Sequence, residues 1–575
     1  MYVVSYVPYG YEGILVRIEA DIRRGIPGID ISGLAEGAVR EAKERIRAAF
    51  RNSGFRFPTD RVLINLAPAG IKKDGASLDL PIAIAVMSAA AIAPPACDTM
   101  ILGELELSGA VRPVRGVLSA TSRALEAGIR SIIVPRANKA EAEILAEGSV
   151  FGVSTLSETL IALKYRAQIG KFPCDKDTAV FANQALPSRS ANGISGAAAS
   201  VHPVAEDCRR GAFLGDFSDV RGQSRYKRAL EIAAAGSHNL FVFGPPGAGK
   251  TMLARRLPSI MPPLDKWEAV TVTRLHSLAG ELSPLDACFS DSYQAELSIE
   301  KTQAEGAQNE CFREASSLIT QPPFRSPHHS ASAEGILGGG KSIRPGEISL
   351  AHLGTLFLDE APEFKCNVLQ ALREPLEDKV ITISRAEGPV RLPADFQLVM
   401  AANPCPCGKL GRTAQENHSD LSCLCSAQDI HRYWRKFSGA LLDRMELRVA
   451  VNMPSASFMA KNREESGNTV AKRVARAVEI QRARYKNMNV RRNSTLDAGD
   501  IERICVLSPA AENAFRKAVE KLGLSGRAYH GILRVGRTIA DLEGKDLIET
   551  EHILEAVQHR RQGDDPFDVL QTENS

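Results

Sequence analysis

The sequence predicts a multidomain α/β protein whose central part is a parallel sheet and whose last part is helical. Its 575 residues exceed what one hydrophobic core organises, since domains typically hold about 100–200 residues. An apolar strand, a glycine-rich turn and a helix-forming run follow one another from Leu240 to Leu257. We therefore expect an N-terminal domain (1–168), a linker (169–212), a core with insertions (213–455) and a helical C-terminal lid (456–575).

Composition narrows the class of protein. Hydrophobic residues make up 44% and charged residues 24%, as in ordinary soluble proteins, and no apolar run approaches the roughly 18 residues of a membrane span. The start MYVVSYVPYG lacks the features of a signal peptide, so we expect a cytoplasmic protein without membrane contact. The 11 cysteines favour a reducing compartment over a disulfide scaffold. The net charge of +3 neither indicates nor excludes a nucleic-acid partner.

The first 168 residues alternate strands with helices. We expect strands at VVSYV, ILVRIEADI, VLINLAP and SIIVP, and helices at about 36–52 and 78–91. This pattern resembles the Lon-protease-like fold, in which the segment DGAS, ending at Ser77, lies where that family has its nucleophilic serine. The resemblance implies a lysine base where this chain has Ser119, so the dyad is broken. Ser77 is then expected to be an ordinary helix N-cap.

Hydrophobic periodicity fades between Gly170 and Arg210. The tract SRSANGISGAAASVHP is rich in Ser, Ala and Gly. This composition is typical of a flexible tether, and we expect no chemistry there.

A phosphate-binding loop follows the strand at 240–243. The segment GPPGAGKT matches the pattern G-x-x-x-x-G-K-[ST]. Such a loop directs backbone N–H groups at the phosphates of ATP, while its lysine reaches the β- and γ-phosphates and its hydroxyl ligates Mg²⁺. The alternative, a glycine-rich loop without nucleotide, is disfavoured by the flanking strand and helix. The predicted nucleotide-binding residues are Gly244, Pro245, Pro246, Gly247, Ala248, Gly249, Lys250 and Thr251.

Two acidic residues end a later apolar strand, TLFLDE. Asp359 is placed to join Thr251 in holding Mg²⁺, and Glu360 to polarise the attacking water. A buried strand with capping acids is the plainer interpretation. The phosphate loop favours the catalytic one.

The arrangement resembles the AAA+ ATPases. The strand FQLVMAAN ends in Asn403, which matches the sensor asparagine of that class, and Val220–Gln223 lies where the class contacts the adenine base. Arg444, in LLDRMEL, resembles the arginine finger that completes a neighbouring subunit's site, although a lone arginine is more often a surface group. Arg534 and Arg537 lie on one helix face, and we favour Arg534 as a second sensor of the γ-phosphate.

Two insertions narrow the class further. One spans 325–352, and the other, VITISRAEGPVRL, predicts a hairpin. Insertions at these points resemble those of the clade that contains magnesium chelatase and MCM helicases. Lys341, Arg344 and Arg385 are then placed to contact DNA in a central pore, with loop solubility as the alternative.

Most of the chain resembles one family of bacterial ATPases. The segments GPPGAGKTMLARRLP, PFRSPHHS, RPGEISLAHLGTLFLDEAPEF, AANPCPCG, SGALLDRMEL and RTIADLEG are similar to the magnesium-chelatase-like family known as YifB or ComM. The resemblance implies a homo-hexameric helicase that acts on single-stranded or branched DNA and drives branch migration during natural transformation, together with recombination proteins. The alternative is a motor that remodels protein. The stretch at about 282–320 is an extra insertion without a functional interpretation.

Three further groups of residues remain. Cys405, Cys407, Cys423 and Cys425 form two CxC pairs that offer four ligands to a structural Zn²⁺, with reduced loop thiols as the alternative. His328 and His329 are adjacent, and we interpret them as loop or hydrogen-bonding residues. The stretch 472–492 carries eight Lys or Arg against one Glu and is either a phosphate-tracking face or a solvated helix.

Overall fold

The computed structural model describes residues 1–33, 36–68, 73, 76–146, 149–169, 216–282, 318–340, 343–384, 389–410, 423–452, 465–488 and 490–561. The predicted linker, most of the stretch at 282–320, Lys341 and Arg385 lie outside these residues. The chain divides into two compact units. The first comprises Met1–Phe213, Thr273–Leu318 and Ser384–Val390, and the second comprises Leu214–Val272, Ile319–Ile383 and Arg391–Ser575. The finer four-part division stays a prediction.

The first unit contains a mixed seven-stranded sheet. The described strands of this unit are β1 (Tyr2–Val7), β2 (Ile14–Arg23), β3 (Gly28–Ser32), β4 (Arg61–Ala67), β5 (Thr99–Ile101), β6 (Glu104–Leu105), β7 (Val111–Arg112), β8 (Ser131–Pro135) and β9 (Val150–Val153). β6 and β7 form a separate two-stranded pair, and the other seven strands form the sheet. The order in the sheet is β3-β4-β2-β1-β5-β8-β9. β1, β5, β8 and β9 are parallel, whereas β2 is antiparallel to both β1 and β4.

Around β1 both faces of this sheet are buried, whereas one face of β3 and β4 carries exposed residues. Successive side chains of a strand point to opposite faces, and in β1 Val3 and Val7 enter one hydrophobic core while Val4 and Tyr6 enter another. Cys97, in the same unit, is disulfide-bonded, which the cysteine count did not predict.

The second unit contains a parallel sheet of five strands. Its order is β11-β14-β17-β10-β18, and every described pairing in it is parallel. The strands of this unit are β10 (Leu240–Phe243), β11 (Phe324–Arg325), β12 (Gly338–Gly339), β13 (Arg344–Pro345), β14 (Thr355–Leu358), β15 (Val380–Ile383), β16 (Val390–Pro393), β17 (Gln397–Ala402) and β18 (Leu447–Ala450). Two short pairs, β12 with β13 and β15 with β16, lie within the two predicted insertions.

The helices of the described chain include the two predicted at about 36–52 and 78–91. In chain order they are α1 (Glu36–Asn52), α2 (Asp79–Ala89), α3 (Val117–Glu126), α4 (Lys139–Glu143), α5 (Leu156–Ile169), α6 (Ser224–Gly236), α7 (Lys250–Ala254), α8 (Leu257–Ile260), α9 (Lys266–Ala279), α10 (Ala333–Leu337), α11 (Glu347–Leu350), α12 (Cys366–Ala371), α13 (Arg373–Asp378), α14 (Ala427–Trp434), α15 (Gly439–Leu442), α16 (Gly467–Arg484), α17 (Ala498–Ile504), α18 (Pro509–Leu522), α19 (Gly526–Glu543) and α20 (Thr550–Arg561). In the described part of the chain, no helix is long and apolar enough to cross a membrane.

The C-terminal part is helical, as predicted. Its longer helices begin at serines that cap them: Ser466, Ser508 and Ser525 each accept a hydrogen bond from a backbone amide of the first turn. Val470, Val474 and Val478 repeat at the helical spacing and enter the same hydrophobic core as Leu240 and Val242 of β10. The helices therefore share one core with the parallel sheet.

Candidate nucleotide-hydrolysis site

The predicted phosphate loop follows β10, which lies between β17 and β18 in the parallel sheet. All four residues of β10 are buried, and α7 begins directly at Lys250. Gly247 and Gly249 have φ angles of 83° and 85°, which residues with a side chain rarely adopt. A Cβ atom at Gly244 would lie 2.1 Å from the carbonyl oxygen of Val451. The loop therefore needs glycine at Gly244 and Gly249, which the motif specifies, and at Gly247, which the motif leaves open.

Lys250 lies inside the loop. Its Nζ donates to the carbonyl oxygens of Gly244 at 2.6 Å and Pro245 at 2.9 Å, and to Oδ1 of Asn403 at 3.2 Å. Burial lowers the pKa of the Lys250 ammonium to about 8, while the carboxylates of Asp359 and Glu360 act in the opposite direction. The predicted phosphate ligand and the predicted sensor residue are thus in contact.

The two predicted magnesium ligands also meet. Oγ1 of Thr251 donates to Oδ2 of Asp359 at 2.7 Å, although the residues are 108 positions apart. Parallel pairing aligns the carboxyl ends of β10, β17 and β14, so Thr251, Asn403 and Asp359 come to one edge of the sheet. A hydroxyl and a carboxylate are oxygen ligands of the kind that Mg²⁺ prefers.

Glu360 sits next to this pair in a strained conformation. Its φ of 48° and ψ of 46° are left-handed, which costs a residue with a Cβ of the order of 1 kcal/mol. Its backbone amide donates to Oδ1 of Asp359 at 3.0 Å. The side chain is more than half exposed, so water can reach the carboxylate. Nδ1 of His329 lies 3.8 Å from its Oε2, a neighbour that the sequence analysis missed.

The segment before α6 contacts the loop from another side. Gln223 has a left-handed backbone, with φ of 58°, and its Nε2 donates to the carbonyl oxygens of Ala248 at 3.2 Å and Asn452 at 2.6 Å. Gln223, in the segment predicted to contact the adenine base, is therefore hydrogen-bonded to the phosphate loop.

Arg444 lies away from these groups, in a cleft of about 960 Å³ within the second unit. Its Nη2 donates to Oε1 of Glu377 at 2.5 Å, and Arg527, which the sequence analysis did not single out, donates to the same oxygen. Two guanidinium groups share one carboxylate, so this cluster keeps a positive charge. Among the described residues that line the cleft, none belongs to the phosphate loop.

Comparisons with known proteins show the family of this chain. The family model described as magnesium chelatase, subunit ChlI, matches residues 216–295 and 285–459. Models for subunit ChlI of Mg-chelatase and for the ChlI C-terminal part match 18–138 and 464–560. The competence protein ComM of Haemophilus influenzae is 37% identical over 562 residues, which cover 97% of each chain. This chain belongs to the YifB/ComM family of magnesium-chelatase-like ATPases.

Other relatives of this YifB/ComM chain fall into two groups. An uncharacterised protein YifB of Salmonella typhimurium is 38% identical over 549 residues, which cover 95% of this chain and 94% of that protein. A Lon protease of Chloroflexus aurantiacus is 30% identical over 167 residues, which cover 27% of this chain and 20% of the protease. The Lon-like resemblance is therefore real but partial.

The structure does not support a Lon-type dyad in this family member. Ser119 is fully buried in α3, at the position where the resemblance implies a lysine. Ser77 lies inside a single 3-10 turn, Ala76–Leu78, and the N-cap position of α2 is Leu78, without a side-chain cap. The predicted N-cap role of Ser77 is therefore wrong.

The two arginines of α19 differ sharply. Arg534 is partly exposed in the cleft, where it contacts Oε1 of Glu446 at 3.3 Å and the carbonyl oxygen of Leu496 at 2.6 Å. Arg537 is 1% exposed and pairs with Asp541. Because Arg537 is committed to the interior, it is unavailable as a second sensor, whereas Arg534 remains a candidate.

Five of the eight basic residues at 472–492 are paired with acids or buried, and the other three, Lys472, Arg476 and Lys486, are exposed. Arg473 pairs with Glu231, Arg484 with Asp541, and both Arg482 and Arg491 with Glu268. Arg492 is buried, and burial lowers the pKa of its guanidinium to about 9. The interpretation as a continuous phosphate-tracking face is therefore not supported.

The two insertions contain the predicted hairpin elements. Gly338 pairs with Pro345 and Gly339 with Arg344 in β12 and β13, and the Arg344 side chain is exposed. β15 pairs with β16 in the second insertion. Lys341 and Arg385, as well as Glu387-Gly388 at the predicted turn, lie outside the described residues.

The four cysteines come together as predicted from their spacing. Their sulfur atoms all lie within 4.8 Å of one another. Cys405 Sγ lies 3.3 Å from Cys407 Sγ and 3.7 Å from Cys423 Sγ. A tetrahedral Zn²⁺ with bonds of about 2.3 Å separates its sulfur ligands by about 3.8 Å, so the cluster fits this ion. Burial opposes ionisation of Cys407, but the Lys409 amide and neighbouring thiols lower the pKa of this thiol to about 6.

Proposed function

We propose that this chain is an ATP-hydrolysing hexameric motor that moves single-stranded or branched DNA and promotes branch migration when DNA is integrated during natural transformation or recombination. One observation carries the enzymatic part: two hydrogen-bonded pairs, Lys250 with Asn403 and Thr251 with Asp359, lie at one edge of the parallel sheet. ATP and Mg²⁺ are the ligands that this group fits.

The chemistry assigned to the residues follows from their positions. Lys250 neutralises charge on the β- and γ-phosphates, and Thr251 and Asp359 hold the Mg²⁺ shell. Glu360 accepts hydrogen bonds from the attacking water, and Asn403 positions the γ-phosphate between Lys250 and the acids. Magnesium supplies charge stabilisation at the transferring phosphoryl group.

The oligomeric part of the proposal rests on Arg444. A finger that completes a neighbour's site must lie away from its own phosphate loop, as Arg444 does in the cleft. Arg527 shares Glu377 with Arg444, so we assign both to the surface that meets the neighbour's nucleotide. Arg534 lines the same cleft and is our candidate for the second sensor.

The DNA part rests on the ComM relative, whose printed name is a competence protein and which covers nearly the whole chain. Exposed Arg344, with Lys341 and Arg385 of the same two insertions, is our candidate for DNA contact. A protein-remodelling motor is the alternative, because the family models describe a subunit of magnesium chelatase.

Hydrolysis rates with and without forked DNA, at low salt, test the proposal. We expect DNA to stimulate hydrolysis, and Arg344→Ala to reduce the stimulation more than the basal rate. The matched control is Arg432→Ala, which removes an arginine that is 80% exposed and lies outside both insertions. A rate that is indifferent to DNA, with no binding to forked DNA, would refute the DNA motor and favour the protein-remodelling alternative.

We further propose that the cysteine cluster holds one structural Zn²⁺ per subunit. The distances among the four sulfur atoms support this ion. Elemental analysis after exhaustive dialysis tests the site. Protein without metal would mean that the four cysteines are ordinary reduced loop thiols.

A further inference from the structure

The cysteine cluster borders the phosphate loop. Cys405 lies two residues after Asn403, the partner of Lys250. Gly408 approaches the loop so closely that a Cβ atom there would lie 2.9 Å from Cδ of Pro246. The turn that carries Cys405 and Cys407 therefore forms part of the wall behind the phosphate loop.

The second cysteine pair is tied to the same turn. Cys425 directly precedes Ser426, whose side chain caps α14. At the other end of α14, the indole of Trp434 donates to the carbonyl oxygen of Pro404 at 3.0 Å and packs edge-on against Phe243 of β10, with ring centroids 5.5 Å apart. The four cysteines therefore lie, in sequence, between Asn403 at the end of β17 and Trp434, whose indole contacts Pro404.

A bound cation would be needed if all four sulfurs were ionised. Thiolates that are 3.3–3.7 Å apart repel one another strongly unless a positive ion neutralises them. Binding a metal at such a site contributes directly to the stability of the fold around it. The segments held by the cluster are the ones that contact Pro246 and position Asn403.

We propose that Zn²⁺ bound by Cys405, Cys407, Cys423 and Cys425 is a structural part of the ATP site. The ion holds the Pro404–Gly408 turn against Pro246 and so maintains the phosphate loop and Asn403 in the conformation that binds ATP. No cysteine needs to touch the nucleotide. This inference rests on the zinc site proposed above, and it adds that loss of the metal weakens nucleotide binding.

The first test compares the full-length protein before chelation, after chelation and after zinc is restored. Zinc content is measured by elemental analysis, and affinity by titration with a fluorescent ATP analogue and Mg²⁺. We expect the dissociation constant to rise roughly tenfold on zinc removal, as for loss of groups that support a binding site, and to recover on reloading. Unchanged affinity after verified removal would overturn the inference and leave the zinc site standing. Protein purified without zinc would overturn both, while leaving the ATPase proposal untouched.

A second test keeps every cysteine in place. In Gly408→Ala the new methyl group presses on Pro246, so we expect normal zinc content and weaker binding of the analogue. Gly54→Ala is the matched control: Gly54 has φ of 79°, close to the 73° of Gly408, but nothing lies within 4 Å of an added Cβ atom. Cys425→Ser should lose both zinc and affinity, whereas Cys366→Ser, at an exposed cysteine outside the cluster, should lose neither. Equal affinities of Gly408→Ala and Gly54→Ala would contradict the contact.

Discussion

The hydroxyl of Thr251 donates a hydrogen bond to the carboxylate of Asp359 at 2.7 Å. This contact joins α7, the helix after the phosphate loop, to the end of β14. In the parallel sheet β14 is two positions from β10, the strand before the loop. The contact brings two oxygen ligands to one point, beside the ammonium of Lys250. The proposed hydrolysis of ATP depends on this arrangement.

Lys250 and Glu360 should give different phenotypes. Lys250→Ala removes the cation that neutralises the phosphates, so we expect loss of nucleotide binding or of hydrolysis. Glu360→Gln keeps the size of the side chain but loses the carboxylate, so ATP should bind and remain unhydrolysed. Analogue binding and phosphate release, measured on both variants, separate the two roles. Normal turnover in Glu360→Gln would mean that another group activates the water.

Much of this site was predictable because each side chain follows a strand or a glycine loop. Parallel strands place Thr251, Asn403 and Asp359 at one edge of the sheet, so the sequence motifs were sufficient to predict that these residues meet. Glu377, Arg527 and the contact of His329 with Glu360 were not predicted, because they depend on segments far apart in sequence. No local pattern indicates them.

Burial and ion pairing bear on alternatives that the sequence left open. Arg537 occupies the same helix face as Arg534 in sequence, but only the structure shows that it points into the core. The arginines at 472–492 read as a basic face, yet acidic partners such as Glu268 lie on other segments. Sequence spacing reports which residues share a face, and it does not report what covers that face.

Arg444→Ala should leave ATP affinity nearly intact and lower turnover by orders of magnitude, because the finger acts on a neighbour's nucleotide. When Arg444→Ala subunits are mixed with Lys250→Ala subunits, hydrolysis should return at those interfaces where an intact phosphate loop meets an intact Arg444. Arg432→Ala, at an exposed arginine, serves as the control. Unchanged turnover of Arg444→Ala alone would refute the assignment.

Arg537→Ala should act on stability. It removes a buried ion pair with Asp541 and a hydrogen bond to the carbonyl oxygen of Asp546 at 2.5 Å. We expect a loss of about 3 kcal/mol in the free energy of unfolding, measured by denaturant titration. Arg516→Ala, at an exposed helix position, should cost less than about 0.5 kcal/mol. A fully stable Arg537→Ala protein with slow hydrolysis would restore Arg537 as a sensor candidate.

His352 should make the stability of the second unit depend on pH. Burial lowers the pKa of its imidazole to about 4, despite nearby Asp395, which acts in the opposite direction. Between pH 6.5 and 4 the unfolded chain therefore binds more protons than the folded one. His352 should therefore contribute a fall of up to about 1.4 kcal/mol per pH unit in the free energy of unfolding as the pH decreases through this range.

His352→Asn isolates this contribution. An asparagine oxygen can accept the hydrogen bond that the Asp395 amide donates to Nδ1 of His352 at 3.0 Å, but it cannot be protonated. We expect the variant to show a shallower loss of denaturant midpoint between pH 6.5 and 4 than the wild type. Identical slopes would show that His352 does not titrate as its burial indicates.

The most direct test of the motor follows the movement of a DNA junction. A three-stranded junction with a labelled strand is incubated with wild-type protein, ATP and Mg²⁺, and the released strand is measured over time. We predict ATP-dependent strand release by the wild type, and junction binding without release by Glu360→Gln. A junction that stays in place while the wild-type protein hydrolyses ATP on it would contradict the account.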